Sequence, residues 1–351
     1  DRRRGAGPPR ICADQALSQR LSRMKALSFA EAGVLVAQAL QRCRTAAENA
    51  SIVAHALVLA EADGLKSHGL LRVPMYAAQA RVGKVDGFAV PSVEQPRPAL
   101  IAIDAKHGFA YPAMNRAVAL LPGMAREFGI AAAGIRRSHH VGVAGHQVER
   151  LAEAGMVALF FANAPAAMAP WGGTRAVFGT DPIAFACPLP GRPPIVVDLS
   201  LSKVARGHIL SAIQRNESIP EGWALDTNGK PTTDAKAAIA GTMVPLGDAK
   251  GTALALMVEL LAAGLTGANF AGEASSFLDA DGAPPGTGQL IIAIDASAFG
   301  NALPRFAALA QSIEEQQGAR LPGARRMASR KKAQTEGLQI SDSLLAEIKA
   351  L

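Results

Sequence analysis

GMVALFFAN (155–163), DPIAFACP (181–188) and PIVVDLS (194–200) are three short apolar runs, each bounded by Gly, Pro, Asn or Asp. Apolar runs of this length between chain-breaking residues read as buried β-strands rather than helices. The same texture holds from about residue 130, with QLIIAID (289–295) as a further strand and helices expected near 143–154, 202–214 and 251–266. This α/β part reads as a second domain. Ahead of it, Ser28 with Glu31 and Thr45 with Glu48 have capping-box spacing, so two helices are expected to start there and pack as a pair. LIAID (100–104) reads as a short strand before a helix near 112–127. The C-terminal part returns to helix at 303–317 and 341–350, the latter capped by Ser341 or Asp342, and is expected to fold back on the first pair.

The chain has 351 residues, enough for two domains, with 49% hydrophobic and 19% charged residues. That composition excludes disorder over most of the length. The net charge of +7 is concentrated at two ends: residues 1–23 carry six Arg against two Asp, and 319–332 carry Arg320, Arg325, Arg326, Arg330, Lys331 and Lys332 with no acid. Such ends read as solvated tails. With aromatics at only 5%, base-stacking platforms are lacking and no nucleic-acid partner is expected. Three scattered cysteines, Cys12, Cys43 and Cys187, form no disulfide framework or zinc motif and fit a reducing cytoplasm. Glu259 interrupts the apolar stretch 252–266, and Pro165 and Pro170 interrupt 157–173, so no membrane span is expected. Met24 reads as a natural start, leaving 1–23 as a poorly ordered extension.

The polar residues crowd at Ser67-His68-Gly69 with Arg72, at Ser138-His139-His140-Val141-Gly142, and between Asp198 and His208, which together hold four of the seven histidines. A carbonyl-reducing site needs a proton donor of near-neutral pKa, which imidazole supplies, and a guanidinium to grip a carboxylate through two bonds. His68 and Arg72 are i and i+4, so a helical turn would point them the same way. Adjacent His139 and His140 point apart and have no carboxylate or thiol at ligand spacing, so no metal is expected. Lys250, in GDAKG ahead of a helix, suits a phosphate. Asp198 ends an apolar strand where a ligand crevice can open, and Thr180-Asp181 lies at a turn. The Gly-x-Gly-x-x-Gly turn is absent throughout, so a dinucleotide would be held by another fold.

Read together, SHGLLRVPMY (67–76), SHHVGVAGH (138–146), FGTDPIAF (178–185), VVDLSLSKVARG (196–207), IPEGWALD (219–226), GDAKGTALALMVELL (247–261), GQLIIAID (288–295) and RLPGARR (320–326) resemble the type-2 malate/L-lactate dehydrogenase family. That family includes ureidoglycolate and sulfolactate dehydrogenases and the Δ1-piperideine-2-carboxylate/Δ1-pyrroline-2-carboxylate reductases, and the resemblance spans about 24–351. It implies a non-Rossmann α/β fold with a mostly antiparallel NAD(P)-binding domain over 130–295. A substrate and dimerisation domain would comprise 24–129 and 296–351, in a homodimer. By the same resemblance Ser67 and His68 match a proton-relay pair, with His140 as the alternative proton carrier. Arg72 and Thr180 match substrate contacts. His139, His140, Val141, Gly142, Val143, Asp198, Leu199, Ser200, Ala249, Lys250, Arg320, Leu321, Pro322, Gly323, Ala324, Arg325 and Arg326 match cofactor-binding segments. His208 stands where the cyclic-imine reductases carry an Asp of the relay, and Asp181 replaces a common Asn. Ala324 replaces an acid beside Arg325 and Arg326, which favours NADP over NAD. The function implied is hydride transfer between nicotinamide and C2 of a small 2-hydroxy/2-oxo acid, with NADPH-dependent reduction of cyclic imino acids as the alternative.

Overall fold

Ser28 opens the first helix as its spacing demands: its hydroxyl accepts the Glu31 amide at 3.2 Å while the Glu31 carboxylate takes the Ser28 amide at 2.8 Å. The computed structural model describes residues 24–351; the expected extension over 1–23, with Cys12, lies outside the described residues. In chain order the first elements are β1 (Met24–Leu27), α1 (Phe29–Arg42), α2 (Ala47–Ala62), α3 (Val73–Val82), β2 (Ser92–Arg97), β3 (Leu100–Asp104), α4 (Ala110–Phe128) and β4 (Ile130–Ser138). Then come α5 (Ala144–Glu153), β5 (Met156–Ala162), β6 (Ile183–Leu189), β7 (Arg192–Leu199) and α6 (Arg206–Arg215). A small ribbon of β8 (Ala224–Leu225), β9 (Pro231–Thr232) and, after α7 (Ala235–Ala240), β10 (Thr242–Met243) follows. The chain ends with α8 (Ala249–Glu259), β11 (Thr287–Asp295), α9 (Ala302–Glu314), α10 (Ala324–Glu336), β12 (Leu338–Ser341) and α11 (Asp342–Ala350).

Seven strands form one sheet in the order β2-β3-β4-β11-β5-β6-β7, parallel only between β3 and β4. The fold is therefore a mixed α/β architecture with a largely antiparallel sheet, and β2 and β3 from the first segment belong to it. Central β11 is buried on both faces, as the period of two requires: Ile291 and Ala293 join one core, Leu290 the other. The first core faces α4, α5 and the N-terminal helices across a carpet of small side chains, Ala131, Ala133, Ala158, Ala184 and Ala186, which lets helices lie close. The second core lies under α8. Among the described residues no helix is long and apolar enough to cross a membrane. Cys43 and Cys187 are free, buried thiols.

Three expectations are corrected. Thr45 does not cap α2, which begins at Ala47 behind Ala46, and the buried Thr45 hydroxyl has no partner. The helix expected over 251–266 ends at Glu259 and widens into a π turn over Leu260–Gly264. The basic stretch 319–332 is no solvated tail. Most of it is α10, where Arg330 forms a fork to Asp63 (Nε–Oδ1 2.6 Å, Nη2–Oδ2 2.9 Å) and also bonds Glu149 (Nη1–Oε1 2.8 Å). The C-terminal part folds back as expected, β12 pairing antiparallel with β1 and the Ser341 hydroxyl capping α11.

Burial pushes the Asp63 carboxyl up, but the bonds from Arg330 and His146 outweigh it and hold the group below its ordinary value. Its contribution to stability is thus present above the ordinary carboxylate pKa of about 4 and is lost as pH falls through the lower folded value. Arg330→Ala takes the forked partner from two shielded carboxylates, leaving Asp63 to His146 and Glu149 to Arg326, and should cost about 3 kcal/mol at neutral pH. Urea denaturation should show this loss together with a flatter dependence on pH below about 5.

Candidate active site

The turn after α2 is held by a single buried carboxylate. Glu61 accepts the Leu70 amide at 3.0 Å, and a Cβ on Gly69 would lie 2.3 Å from that carboxylate, so only glycine fits between them. Instead of one helical turn, two 3₁₀ turns, Lys66–His68 and Leu70–Arg72, meet at Gly69. The Arg72 Nε donates back to the Ser67 carbonyl at 2.7 Å, and Ser67 Oγ lies 3.0 Å from His68 Nδ1. Burial first, and the Arg72 charge second, lower the His68 pKa to about 4.

His139 and His140 follow β4 directly. The His140 ring stacks on His68 with centroids 5.4 Å apart, and its Nδ1 lies 2.7 Å from the Tyr76 hydroxyl, which lies 3.2 Å from that of Tyr111. Desolvation, then Arg72, then His68 hold His140 well below its ordinary pKa. His139 sits in an aromatic box of Tyr76, Phe109 and Phe277 with neither ring nitrogen bonded. Phe277 also covers His140 at 5.1 Å. Its loop is clamped from the α3 side by Gln79, bonded to the Phe277 and Asp279 carbonyls, and by buried Lys84, paired with Asp279 at 3.0 Å.

The first turn of α6 closes on the same place: a Cβ on Gly207 would lie 3.3 Å from Ser67 Cβ. Its neighbour Arg206 is lowered from its ordinary pKa by burial first and Arg72 second. Neither guanidinium makes a salt bridge among the described residues. His208 is exposed, packs edge-on against Trp223 at 6.4 Å and makes no bond to Ser67 or His68.

Three of the expected cofactor segments converge. The Gly145 amide, at the start of α5, donates to Asp198 Oδ2 at 2.8 Å, and a Cβ there would lie 2.9 Å from that oxygen and 3.3 Å from Arg326 Nη1. Arg326, only 10% exposed, lies in an ion pair with Glu149 (Nη2–Oε2 2.8 Å), and among the described residues neither Nη has a hydrogen-bond partner of good geometry. An unpartnered guanidinium N–H beside a glycine cradle suits the phosphate or ribose oxygens of a dinucleotide. Val141 and Val143 are buried; Gly142, at φ +66°, lies where a Cβ would meet the Tyr111 hydroxyl. Leu199 ends β7 and Ser200 follows it, its hydroxyl 3.0 Å from that of Ser202. Leu321 packs with Leu189 and Ala310, and Gly323, at φ +84°, turns the chain into α10 at Ala324, leaving Arg320, Pro322 and Arg325 exposed. Ala249 and Lys250 are exposed on the first turn of α8, and no hydrogen bond or ion pair ties them to the other segments. Among the described residues no group of three or more His, Cys, Asp or Glu is arranged to hold a metal.

Beside Thr180, Asp181 and Glu259 are both buried and lie near one another. Glu259 Oε2 accepts the Ala271 amide at 3.2 Å, Asp181 Oδ1 accepts that of Ala164 at 3.3 Å, and the second oxygen of each has no partner. Burial is the larger cause of both upward shifts, with Glu259 the second for Asp181; Glu259 is pushed up to about 7.

Tyr76, Tyr111, Arg206 and Phe277 were not among the residues singled out from the sequence. The available signal was that Tyr76 and Arg206 lie inside quoted motif blocks and that the chain has only two tyrosines.

The family described as malate/L-lactate dehydrogenase matches residues 27–349. The chain is 52% identical over 331 residues to the (2R)-3-sulfolactate dehydrogenase (NADP(+)) of Chromohalobacter salexigens, covering 94% of this chain and 98% of that one. It is 40% identical over 330 residues to the Delta(1)-pyrroline-2-carboxylate reductase of Ancylobacter novellus, covering 93% and 97%. The crystal structure of delta1-piperideine-2-carboxylate reductase from Pseudomonas syringae pv. tomato matches with a TM-score of 0.88 at 37% identity, covering 93% of this chain and 99% of that one.

Because burial favours a proton on Asp181 and on Glu259 in the fold that the unfolded carboxyls release, the stabilising effect is full below the ordinary carboxyl pKa and fades as pH rises through about 7. Asp181→Asn supplies an amide donor in place of that proton. It should raise stability at pH 8.5 by about 1–3 kcal/mol and leave it nearly unchanged at pH 5. Chemical denaturation of both proteins across this pH range checks it, and parallel profiles would show that Asp181 holds no proton in the fold.

Proposed function

The chain belongs to the malate/L-lactate dehydrogenase family and is an NAD(P)-dependent oxidoreductase acting on a small carboxylic or imino acid, and we propose that it works at C2 of that acid. The observation that carries this reading is Arg72, a guanidinium without a carboxylate partner among the described residues, set beside two stacked neutral imidazoles. Arg72 binds the substrate carboxylate and so orients C2. A bound reduced nicotinamide supplies the hydride. The completing proton comes from the His68/His140 pair, with Ser67 as the partner of His68 and Thr180 bordering the substrate. A carboxylate on Arg72 cancels the second cause of the depressed His68 pKa, so substrate binding itself makes that imidazole easier to protonate.

In this reading residues 130–295 form the nucleotide-binding part and 24–129 with 296–351 the substrate and dimerisation part, from which Arg320 to Arg326 reach the nucleotide. NADP is the preferred nucleotide. In support, the sulfolactate relative is named for NADP(+), and Ala324 leaves no acid to repel a 2′-phosphate between Arg320 and Arg325.

Of the two substrate classes weighed from the sequence, cyclic 2-imino acids have more support than malate or lactate, since relatives at 37% and 40% identity are named for them. A specific observation favours a second reading. Arg206 adds a positive charge beside Arg72, and His208 stands in place of the relay Asp, both of which suit an acid bearing a second anion, such as 3-sulfolactate.

The test follows nicotinamide absorbance with NADH and NADPH against Δ1-pyrroline-2-carboxylate, Δ1-piperideine-2-carboxylate, pyruvate, oxaloacetate and 3-sulfopyruvate. NADPH oxidation with a cyclic imine or with sulfopyruvate is expected. Arg72→Lys should raise KM for the active substrate by about 10- to 100-fold with NADPH affinity unchanged. Arg206→Gln should impair sulfopyruvate reduction more than reduction of a monocarboxylate, and equal losses would dismiss the second reading. No turnover across the panel, with no nucleotide binding, overturns the assignment.

A further inference from the structure

The two candidate imidazoles have different hydrogen-bond chains behind them. His68 Nδ1 meets the hydroxyl of Ser67, an exposed residue. His140 Nδ1 meets Tyr76, which meets Tyr111, and both of these phenols are buried. They are the only tyrosines in the chain.

The direction of the second chain follows from counting its protons. If Nδ1–H of His140 donated to Tyr76, Tyr76 would donate to Tyr111, and the Tyr111 proton would be left in a buried position with no acceptor. No other hydrogen bond of Tyr111 exists among the described residues, and the space beside its oxygen is closed by Gly142, where a Cβ would lie 2.3 Å away. In the opposite sense Tyr111 donates to Tyr76, Tyr76 donates to His140 Nδ1, and every proton is used. A buried donor without an acceptor is the costlier fault, so the second sense prevails. Burial and the bond to Tyr76 hold the Tyr111 phenol protonated well above its ordinary range, so this end of the chain has no proton to release.

We propose that Tyr76, oriented by Tyr111, is a positioning residue that locks His140 as the neutral Nε2–H tautomer, making His140 a fixed hydrogen-bond donor and leaving His68 as the group that exchanges the proton. This deepens the assignment above and rests on it for its catalytic meaning. In the reducing direction hydride forms the new C–H bond at C2. His68 as imidazolium gives its proton to the oxygen or nitrogen on C2 and becomes neutral imidazole. His140 keeps its proton and only donates a hydrogen bond. His68, beside exposed Ser67, regains its proton from solvent, whereas the phenols behind His140 are buried.

The test is the 15N spectrum of histidine-labelled protein at pH 7.5, with the His140 signals identified by their absence in His140→Gln. The wild-type chain should show a bare, hydrogen-bonded Nδ1 and a protonated Nε2. Tyr111→Phe, which keeps the ring, should produce a mixture of tautomers, and Tyr76→Phe should abolish the bonded Nδ1 shift. With the substrate found above, Tyr76→Phe should lower kcat by about 10- to 100-fold while KM for NADPH stays as in the wild type. A wild-type Nδ1–H or imidazolium signal, or a Tyr111→Phe spectrum identical to wild type, overturns the inference. Because the spectra need no substrate, a silent activity panel with the expected tautomer would count against the proposed function and not against the lock.

Discussion

The Asp63 carboxylate is wholly shielded from solvent and receives His146 from α5 and the fork of Arg330 from α10, a residue 267 positions away. A charge in such a place is tolerable only while its partners are present. The consequence reaches the site along two lines. Forwards along the chain, Asp63 follows α2 and precedes the turn bearing Ser67, His68 and Arg72. Backwards from Arg330, one helical turn earlier, Arg326 reaches Glu149 and the Gly145 cradle. The expected nucleotide-binding and substrate-binding residues are thus tied to the same buried carboxylate.

Around the histidines the chemistry is set by what is withheld. Arg72 lies near Arg206, no salt bridge among the described residues neutralises either of them, and burial first and the Arg72 charge second keep His68 and His140 neutral. Holding two like charges together without a counter-ion costs stability and leaves the site ready for an anion. The acids nearby are used differently: Glu61 accepts the amide of the Ser67–Arg72 turn, and the Asp181–Glu259 pair lies beside Thr180 with its charge suppressed.

Where signals were local, the sequence was readable. LIAID formed the strand it spelled, and the Ser28 capping box formed as its spacing required. IAAAGIRRS was not read as a strand because its alanines carry no β-forming signature; they become buried under α4 only once the sheet exists. RLPGARRMASRKK looked like solvated charge because the acids that pair with Arg326 and Arg330 lie at positions 63 and 149. The motif residues of the candidate site were visible as blocks, and the structure brings Ser67, His68, Arg72 and His140 into one place. Tyr111 belongs to no such block, and its bond to Tyr76 depends on α4 packing beside α3, which no spacing within the sequence encodes.

The position of β11 has a temporal meaning. It fills the middle of the sheet, between β4 and β5, yet it is the last of the seven strands to be synthesised. Until residue 295 has emerged, β2-β3-β4 and β5-β6-β7 are two half-sheets with the inner edges of β4 and β5 open. Such edges pair readily with other chains. The nascent protein therefore carries its greatest tendency to aggregate in the interval before β11 arrives, and closure of the sheet depends on contacts distant in sequence, which form slowly.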